Sequence, residues 1–231
     1  MRNSADNSSN QIPSKPHKQD FLFNFDRTAR VIAGADEAGA GALAGPVVAG
    51  AVVLGKGRDW SFLRDSKVLS PLARSRYSEI IRRDAVDWAL ALVSHYTIDR
   101  INILNARMLA MKIALANLGS QIDLALIDGN RVPAGSFTFP LEFVVGGDRL
   151  IPEISAASIL AKTARDAWMT RAAIKYPEYG FEKHFGYATP GHKAILVECG
   201  PCRIHRLTYE PVRMATKPLR QEIAFPITLD L

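Results

Sequence analysis

The sequence predicts an α/β layered domain: a mixed five-stranded sheet flanked by helices, with a helical C-terminal extension. Three observations carry that expectation. Strand patterns come first and then alternate with helical ones, the order of layered α/β domains. Hydrophobic residues make up 48% of the 231, enough to bury a core without disulfides. A helical pattern from Ile154 carries the small residues Ser155, Ala156, Ala157, Ser158 and Ala161, which permit close packing on a sheet.

In order, Val31–Ala35 is a short buried strand and Pro46–Leu54 a second, with Gly39, Gly41 and Gly45 in the connection, where backbone can turn sharply or approach a ligand. Pro71–Asp84 is helical, with Leu72, Tyr77, Ile80 and Ile81 near one face. Trp88–Ile98 is a third strand. Asp99 is the expected N-cap of a helix to about Leu118, with Ile103, Met108, Met111 and Leu115 inward. Leu124–Ile127 and Leu141–Val145 are the fourth and fifth strands. A helix follows from Ile154 to about Lys175, then loops with a short helix near residues 192–198.

Residues 1–25 read as a disordered tail, poor in apolar residues up to Asp20 and rich in Ser, Asn, Lys and Pro. Its scarcity of acids also leaves a transit peptide open, but no apolar signal core is present, so the cytoplasm is the default compartment. Residues 216–231 read as a weakly ordered end. No apolar run is long enough for a membrane span. The net charge is +6; three cations against two acids up to Asp20 leave +5 on the body. A basic body suits a phosphate-backbone binder. Cys199-Gly200-Pro201-Cys202 has redox-motif spacing, but no strand signal precedes it, which favours two reduced loop thiols over a redox centre. A zinc site with His192 or His205 lacks a second cysteine pair.

The chemistry gathers at acids. Asp36-Glu37 and Asp128 follow apolar strands, and Asp148 follows Gly146-Gly147. Taken singly, Asp128 and Asp148 are better read as turn residues. Together they mean more, because ligands bind beyond the carboxyl ends of strands in such sheets. Asp36 and Asp128 meet there if their strands are parallel neighbours. Converging carboxylates repel unless cations lie between them, and hard oxygen ligands suit Mg²⁺ or Mn²⁺. Two ions about 4 Å apart clamp an in-line phosphoryl displacement.

Seven blocks then resemble bacterial ribonuclease HII from about Val31 to Val212: Asp36-Glu37-Ala38-Gly39, Gly45-Pro46-Val47-Val48, Asp65-Ser66-Lys67, Asn102-Ile103-Leu104-Asn105-Ala106, Ile127-Asp128-Gly129-Asn130, Ser155 to Lys162, and Ile204-His205-Arg206-Leu207. The resemblance implies a ribonuclease H-like fold over residues 26–215. It implies endonucleolytic cleavage to 5′-phosphate and 3′-hydroxyl ends, with Mn²⁺ or Mg²⁺ as cofactor. The implied partners are RNA–DNA hybrids and duplex DNA containing single ribonucleotides, met by a monomer. Asp36, Glu37, Asp128 and Asp148 are the implied catalytic metal ligands. Gly39, Ala40 and Gly41 would recognise a ribose 2′-hydroxyl, Tyr187 would stack on the sugar at the RNA–DNA junction, and Lys67 and Lys162 would contact phosphate or support the site.

Asp166 rivals Asp148 as the fourth acid. It stands 13 steps after Glu153, roughly 20 Å along a straight helix, so both cannot reach one site. Asp148 lies beside a strand end and is preferred; Asp166 is expected to pair with an arginine. One departure stands out. The family reads Gly-Arg-Gly where this chain has Gly39-Ala40-Gly41. The turn keeps its backbone donors and loses a guanidinium fork worth roughly 1.5–3 kcal/mol. The expected consequence is weaker substrate binding, with hybrid binding without cutting as the alternative outcome.

Overall fold

A computed structural model describes residues 30–63, 69–215 and 217–219. The tail over residues 1–25, Lys67 and most of residues 216–231 lie outside them. The elements are β1 (Ile32–Ala38), β2 (Val47–Val53), α1 (Pro71–Asp84), β3 (Asp87–Val93), α2 (His95–Ala116), β4 (Leu124–Asp128), β5 (Leu141–Val144), α3 (Gly147–Leu150), α4 (Pro152–Lys175), α5 (Phe181–His184), α6 (Pro190–Cys199) and α7 (Glu210–Arg213). A 3₁₀ turn over Pro177–Tyr179 joins α4 to α5. Among the described residues no helix is long and apolar enough to cross a membrane.

The sheet has the order β3-β2-β1-β4-β5. β1, β2 and β3 form an antiparallel meander, whereas β4 and β5 run parallel to β1. β2 is buried on both faces, as its unbroken run of small and branched apolar residues requires. Val47, Ala49, Ala51 and Val53 meet Ala110, Met111 and Leu115 of α2. Val48 and Val52 face Ala157, Leu160 and Ala164 of α4. Each buried branched side chain contributes on the order of 2 kcal/mol.

The small residues of α4 meet glycines across the interface. A Cβ on Gly34 of β1 would run into the backbone of Glu153, and one on Gly50 of β2 would stand 2.6 Å from the Ala157 carbonyl oxygen. With no side chains between them, helix and sheet approach backbone to backbone. That contact sets the height of Ser158 above the end of β1.

The structure corrects four expectations. β1 continues through Asp36 and Glu37 to Ala38 instead of ending at Ala35, because Asp36 and Glu37 pair with Gly50 and Ala49 of β2. β3 stops at Val93, and α2 starts at His95, where Ser94 accepts the Thr97 N–H. Asp99 is therefore not the cap; its carboxylate accepts the N–H groups of Leu207 and Thr208 instead. α2 breaks at Asn102, with φ 64°, and the Asn102 side chain recaps the next turn through the Asn105 N–H. Leu72 is 82% exposed, whereas Ile81, nearer the end of α1, is buried with Ile159 and Leu160 of α4.

Beyond α4 the extension is stitched to the glycine-rich link by antiparallel bridges, Ala42 with Tyr187 and Ala44 with His205. Its centre is a polar relay. His192 Nδ1 lies 2.9 Å from the Tyr187 carbonyl, its Nε2 lies 3.0 Å from His205 Nε2, and His205 Nδ1 accepts the Cys202 N–H. Both histidines are buried, and burial pushes their pKa values down to about 4 for His192 and about 3 for His205. Neutral rings fit the relay: one donates where the other accepts. Cys199 and Cys202 form no disulfide; Cys199 ends α6, and the Cys202 Sγ in the following loop lies 3.1 Å from His205 Nδ1.

Candidate active site

β1 and β4 are parallel neighbours, paired up to Ala35 with Ile127. The next residues along are Asp36 and Asp128, which sequence reasoning needed to bring together. Strand alternation assigns the faces. Ala35 and Ile127 belong to the α2 side, so Asp36 and Asp128 turn to the α4 side and Glu37 turns towards α2. Asp148 enters from α3, one residue after Gly147, where an added Cβ would stand 3.5 Å from Asp128 Oδ1. Asp36 and Asp148 are both buried.

The electrostatics follow from this crowding. Burial pushes the Asp36 carboxyl up to about 8; the charges of Glu37 and Asp128 add to the shift, and a hydrogen bond from Ser158 opposes it. Asp36 Oδ1 also accepts the Glu37 N–H at 2.7 Å. Glu37 is raised by burial and by Asp128, against the attraction of Arg107. The cluster therefore resists carrying its full negative charge unaided. Its donors are all carboxylate oxygens, the set that suits Mn²⁺ or Mg²⁺. Among the described residues, no three His, Cys, Asp or Glu side chains are already gathered closely enough to hold a metal ion. Glu37 faces α2 and is paired with Arg107.

The glycine turn follows Glu37 by two residues. Gly39 has φ 94°, and any Cβ there would clash with the Arg165 side chain. Behind the turn lies Arg206, wholly buried. Its Nη2 donates to the Gly39 carbonyl at 2.7 Å and its Nη1 to the Ala40 carbonyl at 2.9 Å. Tyr209 donates to the same Ala40 oxygen. Arg165, also buried, holds the Ala44 and Pro46 carbonyls. In a trans peptide the N–H points opposite to the C=O. With the Gly39 and Ala40 carbonyls drawn inward, the Ala40 and Gly41 N–H groups face outward, and Gly41 is exposed.

Tyr187 borders this turn through its bridge to Ala42. Lys162 Nζ stands 5.2 Å and Arg165 Cζ 5.1 Å from its ring centroid. Asp166 is engaged elsewhere, with Arg74 of α1 at 3.1 Å and Lys162 at 2.7 Å. Lys67 falls outside the described residues. Sequence reasoning misses Arg107 and Arg165 altogether, and names Arg206 only within the block Ile204-His205-Arg206-Leu207, leaving its role open.

A mixed 3-2-1-4-5 sheet with helices on both faces, and acids at the ends of two parallel central strands, is the architecture of the ribonuclease H-like class. The Ribonuclease HII family profile matches residues 33–212. The chain is 48% identical to ribonuclease HII of Burkholderia thailandensis over 198 residues, covering 86% of this chain and 92% of that one. It is 47% identical to ribonuclease HII of Bordetella pertussis over 188 residues, or 81% and 92% of the two chains. Among solved structures it is similar to ribonuclease H2 from Pyrococcus horikoshii OT3, with TM-score 0.68, 27% identity, and 79% and 95% of the two chains covered. It is also similar to the ribonuclease HII solved in complex with PCNA from Archaeoglobus fulgidus, with TM-score 0.59, 25% identity, and 73% and 87% covered.

The chain belongs to the ribonuclease HII family. It is thus a metal-dependent endonuclease of ribonuclease H type 2, a family whose activity is cleavage of the RNA strand in RNA–DNA hybrids.

Proposed function

We propose that this protein hydrolyses the RNA strand of RNA–DNA hybrids and also cuts 5′ of single ribonucleotides embedded in duplex DNA, acting as a monomer and leaving 5′-phosphate and 3′-hydroxyl ends. The observation that carries this reading is the approach of Asp36 and Asp128 on adjacent parallel strands, directly beside the glycine turn. Asp36, Glu37, Asp128 and Asp148 are the residues to hold two divalent ions, Mn²⁺ or Mg²⁺. Such ions supply activation of the attacking water and stabilisation of the leaving 3′ oxygen.

The chain's own residues do the positioning. Arg206 and Arg165 fix the turn from behind, so the outward N–H groups of Ala40 and Gly41 are preorganised to donate to a ribose 2′-hydroxyl oxygen. The Tyr187 ring offers a flat apolar face to the adjoining sugar. Lys162, beside that ring and paired with Asp166, would turn to a phosphate oxygen of bound substrate, and Lys67 keeps the phosphate role that the family resemblance implies. Because recognition of the ribose runs through backbone groups, Ala40 weakens phosphate binding without removing selectivity.

The test is incubation with Mn²⁺ and two labelled duplexes, a continuous hybrid and a DNA duplex with one ribonucleotide. Cleavage of both supports the proposal. Tight hybrid binding without a cut, across Mn²⁺ and Mg²⁺, would mark a hybrid-binding protein instead.

A further inference from the structure

Arg107 stands on α2, on the opposite face of the sheet from α4. Its guanidinium meets both oxygens of Glu37: Nη2 donates to Oε2 at 3.2 Å, and Nε lies 3.0 Å from Oε1 as an ion-pair contact without hydrogen-bond geometry. The pair is unequal in exposure: about a quarter of the Arg107 side chain is open to solvent, against 9% for Glu37. The same Nη2 would stand 3.3 Å from a Cβ added at Gly129, the residue after Asp128. One cation therefore spans the ends of β1 and β4, the two strands that deliver the acids.

We propose that Arg107 is the resident cation of the acidic cluster. It is a positioning residue that holds Glu37 until a divalent metal displaces it, and it thereby sets the metal concentration at which the site fills. The inference rests on the reading of Asp36, Glu37 and Asp128 as metal ligands. Both Glu37 oxygens face the guanidinium fork, so a metal takes Glu37 only if the fork yields at least one of them. A fixed positive charge beside the site also raises the free energy of a second, divalent one. The partly exposed stem gives the guanidinium room to leave. A purely structural pair would instead keep Glu37 in place with metal bound, and its loss would loosen the site.

The two roles move metal affinity in opposite directions. Mn²⁺ is titrated calorimetrically into the full chain without nucleic acid, for the wild type, Arg107→Met and Arg107→Lys, with circular dichroism to verify folding. The expected result is Mn²⁺ binding about tenfold tighter in Arg107→Met, with Arg107→Lys between it and the wild type. The metal-free melting temperature of Arg107→Met falls, and Mn²⁺ raises it by more than it raises that of the wild type. Should Arg107→Met fail to fold, Arg107→Lys alone decides by the direction of its shift. Equal or weaker Mn²⁺ binding in the folded variants overturns the proposal while leaving the metal site intact. Absence of Mn²⁺ binding in every protein, wild type included, overturns the metal-site reading and this inference with it.

Discussion

Arg206 Nη2 lies 2.7 Å from the Gly39 carbonyl oxygen, although the two residues are 167 positions apart in the chain. The C-terminal extension thus shapes the turn that follows the acidic pair. Arg206 also donates to the carbonyls of Ala40, Gly45 and Pro46 and to the Tyr209 hydroxyl. Truncating it leaves several buried carbonyls unpaired, each worth about 1–3 kcal/mol. Arg206→Lys preserves the charge without the fork. Its expected effect is a rise of about tenfold in KM with a smaller change in kcat, together with a lower melting temperature. Steady-state kinetics on a hybrid checks this; an unchanged KM would separate the turn from substrate binding.

The two rival acids are expected to behave differently. Asp148 is buried beside the end of β4, whereas Asp166 is tied to Arg74 and Lys162. Asp148→Asn lowers kcat by at least about a hundredfold and weakens Mn²⁺ binding. Asp166→Asn keeps Mn²⁺ affinity, and its main effect is a small loss of stability, of order 1 kcal/mol for a half-buried pair. Calorimetric Mn²⁺ titration of both variants distinguishes them, and weaker binding in Asp166→Asn alone would reverse the assignment.

Tyr187 is expected to act through its ring face. Tyr187→Phe then retains cleavage at an embedded ribonucleotide, while Tyr187→Ala loses it by roughly ten- to a hundredfold and loses less on a continuous hybrid. The ratio of the two substrates' kcat/KM values is the measurement. A loss of the same size in Tyr187→Phe would assign the role to the hydroxyl.

The buried histidine relay gives a pH dependence of stability. His192 and His205 have folded pKa values of about 4 and about 3, below the ordinary 6.5. Between those values the unfolded chain binds more protons, so stability rises with pH. The contribution is fully present above pH 6.5 and is lost as pH falls towards 4 and then 3; it amounts to a few kcal/mol as an order of magnitude. Melting temperatures of the wild type should therefore drop across that window. A His205→Asn variant should show a shallower drop, and parallel curves would place the acid sensitivity elsewhere.

Much of this architecture was legible in local pattern. Pro71–Asp84 was bounded correctly because its ends carry their own signals, a proline in the first turn after the Ser70 cap. The fourth strand is legible from the unbroken apolar run Leu124–Ile127, and the fifth from Leu141, Phe143 and Val144 around Glu142. The extent of β1 was not, because Asp36 and Glu37 look like turn residues until their pairing with β2 is known. Ser94 and Asp99 were both chemically suitable caps, and the choice was made by Leu207 and Thr208, which engage Asp99 from the far end of the chain. The site divides in the same way. Its acids stand at strand ends, a place that can be read from sequence. Arg107 and Arg165 act on partners 70 to 121 residues away, and no local spacing announces such contacts.

The most direct test of the central claim is cleavage mapping on a DNA duplex carrying one ribonucleotide, with Mn²⁺, for the wild type and Asp128→Asn. The carboxylate site predicts one cut, 5′ of the ribonucleotide, by the wild type, and no cut by a folded Asp128→Asn protein. Cleavage by Asp128→Asn at near-normal rate, or wild-type protein inert on both this duplex and a hybrid, would contradict it.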